Sequence, residues 1–168
     1  MARLFVAVTP PAPVREVIAG LARPTRAGTR WTRPEQWHVT VRFFGSVSTA
    51  AARAALRRLV HPTVTAELGE EIARLGQRVL VVPVGGLDGL ATAVRACTAD
   101  VGEPVDPRPF TGHLTLARVD GDGPGIRGLV GAPVPSAAWV VDHVELTRSE
   151  RRADGARYDM VERIALGG

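Results

Sequence analysis

Lysine is missing from this chain: all 21 of its basic residues are arginine. Without a lysine amine there is no lysine–adenylate intermediate, no Schiff base and no phosphate-gripping P-loop lysine. An ATP-dependent nucleic-acid ligase of the usual lysine type is thereby excluded. A GC-rich coding sequence accounts for arginine in lysine's place, and the chemical exclusion holds whatever the cause. Cysteine is nearly absent too. The single Cys97 permits no intrachain disulfide and no cysteine-based zinc site. No apolar run approaches the roughly 20 residues that span a bilayer, so no membrane partner is expected. The opening residues 1–8 lack the parts of a secretory signal, and the expected compartment is the cytoplasm.

What is present fits a globular protein. The 168 residues suit one domain, residues 1–168, divided into two lobes and expected to act as a monomer. A net charge of +4 and a pI near 10.8 favour anionic partners, and arginine suits bidentate phosphate contacts. The excess is modest and spread along the chain, which argues against extended duplex binding.

Two phrases in the chain nearly repeat: His38-Val39-Thr40-Val41 and His113-Leu114-Thr115-Leu116. Successive side chains of a strand point to opposite faces. His38 and Thr40 therefore share a face, as do His113 and Thr115, while the apolar residues between them can enter a core. Around these motifs the pattern predicts strands at 4–9, 30–32, 37–44, 64–68, 72–75 and 79–84, the first motif strand stopping at Gly45. Helices are predicted over 14–21, from a Ser48 or Thr49 cap to about residue 61, and over 87–101. A glycine-rich surface loop is expected at 121–131. Residues 138–148 and 156–166 read as strands around a charged hairpin loop at 150–155. This order suggests an α+β duplication, each half a small antiparallel sheet with a helix on its outer face.

Two such His–Thr pairs brought together suit acid–base chemistry on a phosphate. Opening a 2′,3′-cyclic phosphate needs a base for the nucleophile, an acid for the departing ribose oxygen, and donors for the non-bridging oxygens. Two imidazoles can hold complementary protonation states near neutral pH. Thr40 and Thr115 can supply the donors. Neither motif has a second ligand at metal-binding spacing, so no metal is expected. His61 and His143 lack this context and read as surface or structural residues.

The paired motifs resemble those of the two-histidine phosphoesterase superfamily, in particular its RNA 2′,3′-cyclic phosphodiesterases, also called 2′-5′ RNA ligases. The likeness runs through Arg3–Val8, Trp31, Pro34 and Trp37–Gly45, Pro109–Arg118, and Gly155-Ala156-Arg157-Tyr158. It implies a two-lobed α+β fold with the active site in a cleft between the lobes. It also implies hydrolysis of the cyclic phosphate to a 2′-phosphomonoester without metal or nucleotide cofactor. By the same resemblance His38 is the general acid and His113 the general base. RNA ends or nucleotides carrying the cyclic phosphate are the implied partners.

Flanking residues divide less cleanly. Strict alternation puts Arg42 on the His38 face, as a phosphate contact or a solvated arginine. Arg118 lies five positions after His113, which alternation would place on the opposite face, yet the resemblance makes it a substrate contact. Phe43 is a candidate for meeting a nucleobase, with core packing as the alternative. Phe5 reads as a core residue, Trp37 as lining the cleft or packing the lobe, and Arg23, Arg26, Arg30 and Arg33 as a phosphate track or a solvated loop. The competing functions are 2′-5′ RNA ligation, a phosphodiesterase for small cyclic phosphates, and a non-catalytic nucleotide- or RNA-binding module.

Overall fold

The computed structural model describes residues 1–120 and 126–167. Among the described residues, runs rich in β-branched and aromatic residues form ten strands, interrupted by three short α-helices and a 3-10 turn at Pro34–Gln36. In chain order these are β1 (Ala2–Val8), α1 (Ala12–Ala19), β2 (Thr29–Trp31), β3 (Val39–Val47), α2 (Thr49–Leu56) and β4 (Val64–Leu68). There follow β5 (Ala73–Leu75), β6 (Val79–Gly85), α3 (Asp88–Cys97), β7 (His113–Val119), β8 (Ala138–Val141), β9 (His143–Arg152) and β10 (Gly155–Ala165). The pairings are antiparallel, in the order β10-β9-β1-β3-β7-β6-β4-β8, with β2 beside β7 and β5 beside β6. The fold is α+β.

The duplication is visible in the unit strand, helix, neighbouring strand, which occurs as β1-α1-β3 and again as β6-α3-β7. The two units meet where Val39 of β3 pairs with Leu114 of β7, beside the two motif histidines. The lobes are not the two halves of the sequence, however. Strand β4 leaves the first half to pair with β6, and β9 leaves the second half to pair with β1. The run 138–148, expected as one strand, breaks at Asp142 so that β8 joins β4 while β9 joins β1. One residue thus links strands far apart in the sheet order, although consecutive Cα atoms are only about 3.8 Å apart. The sheet must curl until its ends meet. Backbone hydrogen bonds from Leu166 to Asp142 (2.7 Å) and from Gly167 to His61 (2.9 Å) close that seam.

Each helix buries a short apolar stripe: Val14 and Ile18, Ala52 and Leu56, and Leu90, Ala91 and Val94. These residues share one core with Val39, Val41, Leu114 and Leu116, each worth about 1.5–3 kcal/mol of burial for a side chain of valine size or larger. The alternating His38, Thr40, His113 and Thr115 are thereby left on the other face of the sheet. Ser48 caps α2, its Oγ accepting from the Ala51 amide at 3.4 Å. Of the loop expected over 121–131, residues 121–125 lie outside the described residues, and a turn begins at the buried Ile126.

Candidate active site

Bulges decide which residues beyond the two motifs reach the cleft. In β3, Ala7 pairs with Thr40 but Val6 pairs with Arg42, leaving Val41 as an extra residue. Such an insertion reverses the side-chain alternation downstream of it. Arg42 therefore turns into the core and Phe43 turns to the cleft. A second bulge, at Phe44, is made possible by Gly45 at φ 71°, and the strand runs on to Val47 instead of stopping. In β7, Val81 pairs with Thr115 but Leu80 pairs with Ala117, leaving Leu116 as the extra residue. Leu116 and Ala117 are both buried, and Arg118 turns to the cleft. The two motif strands thus carry the same offsets: histidine, threonine two positions later, and a further cleft residue five positions later. That last position holds Phe43 in one strand and Arg118 in the other.

The expectation for Arg42 is overturned. It is only 5% exposed. Its guanidinium donates to the carbonyls of Phe43 (2.9 Å), Val101 (3.0 Å) and Glu103 (2.6 Å), pinning the segment after α3 against β3. The β7 bulge is held from outside by Thr32, whose amide donates to the Leu116 carbonyl (2.8 Å) and whose hydroxyl approaches the carbonyls of Thr115 and Leu116. Trp37 Nε1 donates to that hydroxyl at 3.0 Å, so the buried Trp37 ties the first motif segment to the second.

Both histidines are oriented in the same way. His38 Nδ1 lies 2.8 Å from the Gln36 carbonyl, and His113 Nδ1 lies 2.7 Å from the Thr111 carbonyl. A carbonyl can only accept, so each Nδ1 carries the proton and each Nε2 is left as the reactive nitrogen. His38 Nε2 is 2.9 Å from Thr40 Oγ1. His38, His113, Thr40, Thr115, Phe43 and Arg118 all line one cavity of about 740 Å³.

A profile of the 2′-5′ RNA ligase superfamily matches residues 9–153. The chain belongs to this superfamily. Among solved structures it is similar to a phosphoesterase at 29% identity, with a TM-score of 0.81 and 99% of each chain covered. It is similar to the protein TT0787 of Thermus thermophilus at 27% identity, with a TM-score of 0.80 and 97% of each chain covered. LigT of E. coli, in a complex with 3′-AMP, aligns at 27% identity with a TM-score of 0.81 over 99% of each chain. A comparison with curated proteins found no match.

The same cavity takes in further groups that no strand periodicity marks. His38 is flanked by Phe5 (centroids 4.9 Å apart) and by Tyr158 (4.9 Å, edge-on), so Phe5 serves the cleft as well as the sheet. Tyr158 comes from β10, delivered by the strand exchange, and nothing local in the sequence links it to His38. Gln36 binds the same hairpin, its Nε2 donating to the Ala156 carbonyl at 2.8 Å. Of the four clustered arginines, Arg30 and Arg33 line the cavity, while Arg23 lies over Trp37 at 5.7 Å. His61 and His143 lie outside it. His143 instead pairs with Asp142 (2.6 Å) and Glu145 (3.4 Å). Among the described residues no three His, Cys, Asp or Glu side chains gather as a ligand set, and no helix is long and apolar enough to cross a membrane.

Electrostatically the two imidazoles are unlike. Burial pushes His38 below the ordinary imidazole value, against the pull of the Gln36 carbonyl. His113 pushes in the same direction as burial, while the Glu145 carboxylate opposes it. In the free protein near neutral pH, His38 is therefore neutral, its Nε2 accepting from the Thr40 hydroxyl.

Proposed function

We propose that this protein is a metal-independent RNA 2′,3′-cyclic phosphodiesterase that opens the ring to a 2′-phosphomonoester. The observation that supports this most strongly is the pair of imidazoles, each with Nδ1 pinned to a carbonyl, in a cavity that both threonine side chains also line. In this reading His113 Nε2 takes a proton from water as the oxygen attacks phosphorus. The bond from phosphorus to the 3′ oxygen breaks, and the Nε2 proton of His38 passes to that oxygen. Thr40 and Thr115 donate to the non-bridging oxygens, and Arg118 meets the substrate's charge at the cleft edge. The acid role needs a protonated His38, which the free protein disfavours. The entering phosphodiester anion supplies the opposing charge that restores the proton. An RNA 5′-hydroxyl in place of water would turn the same steps into 2′-5′ ligation.

The deciding experiment is product analysis on nucleoside and oligonucleotide 2′,3′-cyclic phosphates in EDTA. Full activity and a 2′-phosphate product are expected. Activity lost in EDTA and restored by a divalent ion would sink the proposal, as would a 3′-phosphate, because then the other ribose oxygen leaves. Substrate that is bound and never cleaved would favour a binding module instead.

Thr40→Val and Thr115→Val keep the β-branched shape and remove the donor. Each is expected to cost about 1.5–3 kcal/mol of transition-state stabilisation, roughly 10- to 150-fold in kcat/KM, with the unfolding midpoint nearly unchanged. Wild-type kinetics in either variant would take that hydroxyl out of the site.

A further inference from the structure

The cavity at the histidines continues past Phe5. Arg3 and Ser149 line both this cavity and a second cleft of about 710 Å³, which also takes in Arg148, Glu150 and the start of α2 at Ser48 and Thr49. Strand β1 supplies the path. Phe5 stands against His38, and Arg3 projects from the same strand face two residues away, about 7 Å along the strand. The exposed Arg3 guanidinium lies 4.8 Å from the centre of the Phe43 ring, held by cation–π attraction without a carboxylate.

The charge pattern sets this groove apart from the nearby hairpin. There Arg152 pairs with Glu150 (3.0 Å) and Arg157 with Asp159 (3.1 Å), and in the turn before β3 Arg33 pairs with Glu35 (2.9 Å). Among the described residues Arg3 and Arg148 form no ion pair, and the Glu150 carboxylate in their groove is already taken by Arg152. Arg3 therefore faces the candidate phosphate site beside Phe5. Arg148, paired with the buried Leu4, reaches the second cleft from the other side of the sheet at the start of β1, and both cations are unneutralised. A ribose held at its 2′ and 3′ oxygens by the histidine cavity carries its next phosphate at the far, 5′ side of the sugar.

We propose that the Arg3–Arg148 groove binds the phosphodiesters immediately 5′ of the reacting end, so that an oligonucleotide is preferred over a mononucleotide. Arg3 takes the first upstream phosphate and Arg148 the next, and the strand leaves the site over the start of β1. This rests on the cyclic-phosphate reading above for the orientation of the terminal nucleotide.

The test is calorimetric binding of RNAs one to four nucleotides long, each ending in an unreactive 2′-phosphate, at several salt concentrations. Wild type is expected to gain about two- to fivefold in affinity for each of the first two nucleotides added on the 5′ side. The plot of log K against log salt is expected to steepen by about 0.7 with each. An Arg3→Ala, Arg148→Ala double variant is expected to lose both the gain and the added slope, and Arg148→Gln the second step alone. Arg57→Ala, which removes a charge at the far end of α2, is the control for net charge. Affinity independent of length in wild type would overturn the groove. So would a length gain that survives in the double variant, or one that Arg57→Ala weakens equally. Cleavage of a cyclic mononucleotide by wild type is measured alongside. Its failure would count against the cyclic-phosphate reading, while the binding series still judges the groove.

Discussion

Replacing either His38 or His113 with alanine is expected to lower kcat on a 2′,3′-cyclic phosphate by about 10²–10⁴-fold, the usual range for a positioned acid or base. The double variant should be little worse than the worse single one, because the two groups serve one transition state. The pH dependence of kcat/KM carries the sign of each role. An acid works only when protonated, so its limb falls as pH rises through its pKa. Burial holds His38 below the ordinary imidazole value of 6.5, which places that falling limb below the pH at which a free imidazole would give it. In His113→Ala the surviving limb belongs to His38, shifted slightly upward once the neighbouring positive charge is gone. A limb that falls with pH marks His38 as the acid. A limb that rises would exchange the two roles while leaving the pair intact. Near-normal turnover in either single variant would remove that histidine from the chemistry.

Arg42→Leu is expected to cost about 2–5 kcal/mol of folding stability, measured by denaturant unfolding, with kcat and KM of the folded protein within about twofold of wild type. The leucine keeps much of the buried stem. It leaves the carbonyls of Phe43, Val101 and Glu103 without the donor that reaches each of them at 3.0 Å or less. Had Arg42 faced the phosphate, as unbroken alternation would place it, the effect would fall on KM and spare stability. A large KM change with unaltered unfolding would restore that reading.

Around the two motifs, the sequence misled at bulges. A bulge inserts one residue whose only trace is the pairing register with another strand, and register is a property of two strands rather than one. The Val41 bulge explains why Arg42 was misplaced and why Phe43, one residue later, reaches the cleft. The Leu116 bulge explains why Arg118 reaches it against its own periodicity. Gly45, read as a stop, instead permits a kink within a continuing strand.

The local chain by itself determined the parts that depend on a few neighbouring residues. His38 with Thr40 and His113 with Thr115 share a face because strand alternation is set within a single strand, and Val39, Val41, Leu114 and Leu116 are driven inward by their apolar surface. The exclusion of lysine chemistry was likewise complete in the composition. Only the tertiary structure decided which other groups join them. Tyr158 and Gln36 meet at the site because β9 and β10 cross to the first lobe, a long-range pairing that leaves no local mark. The lowered pKa of His38 needs the burial and the neighbouring charge that folding creates. The side of the sheet on which Arg42, Phe43 and Arg118 emerge was settled by the register between strands distant in sequence, since each extra residue reverses every side chain after it.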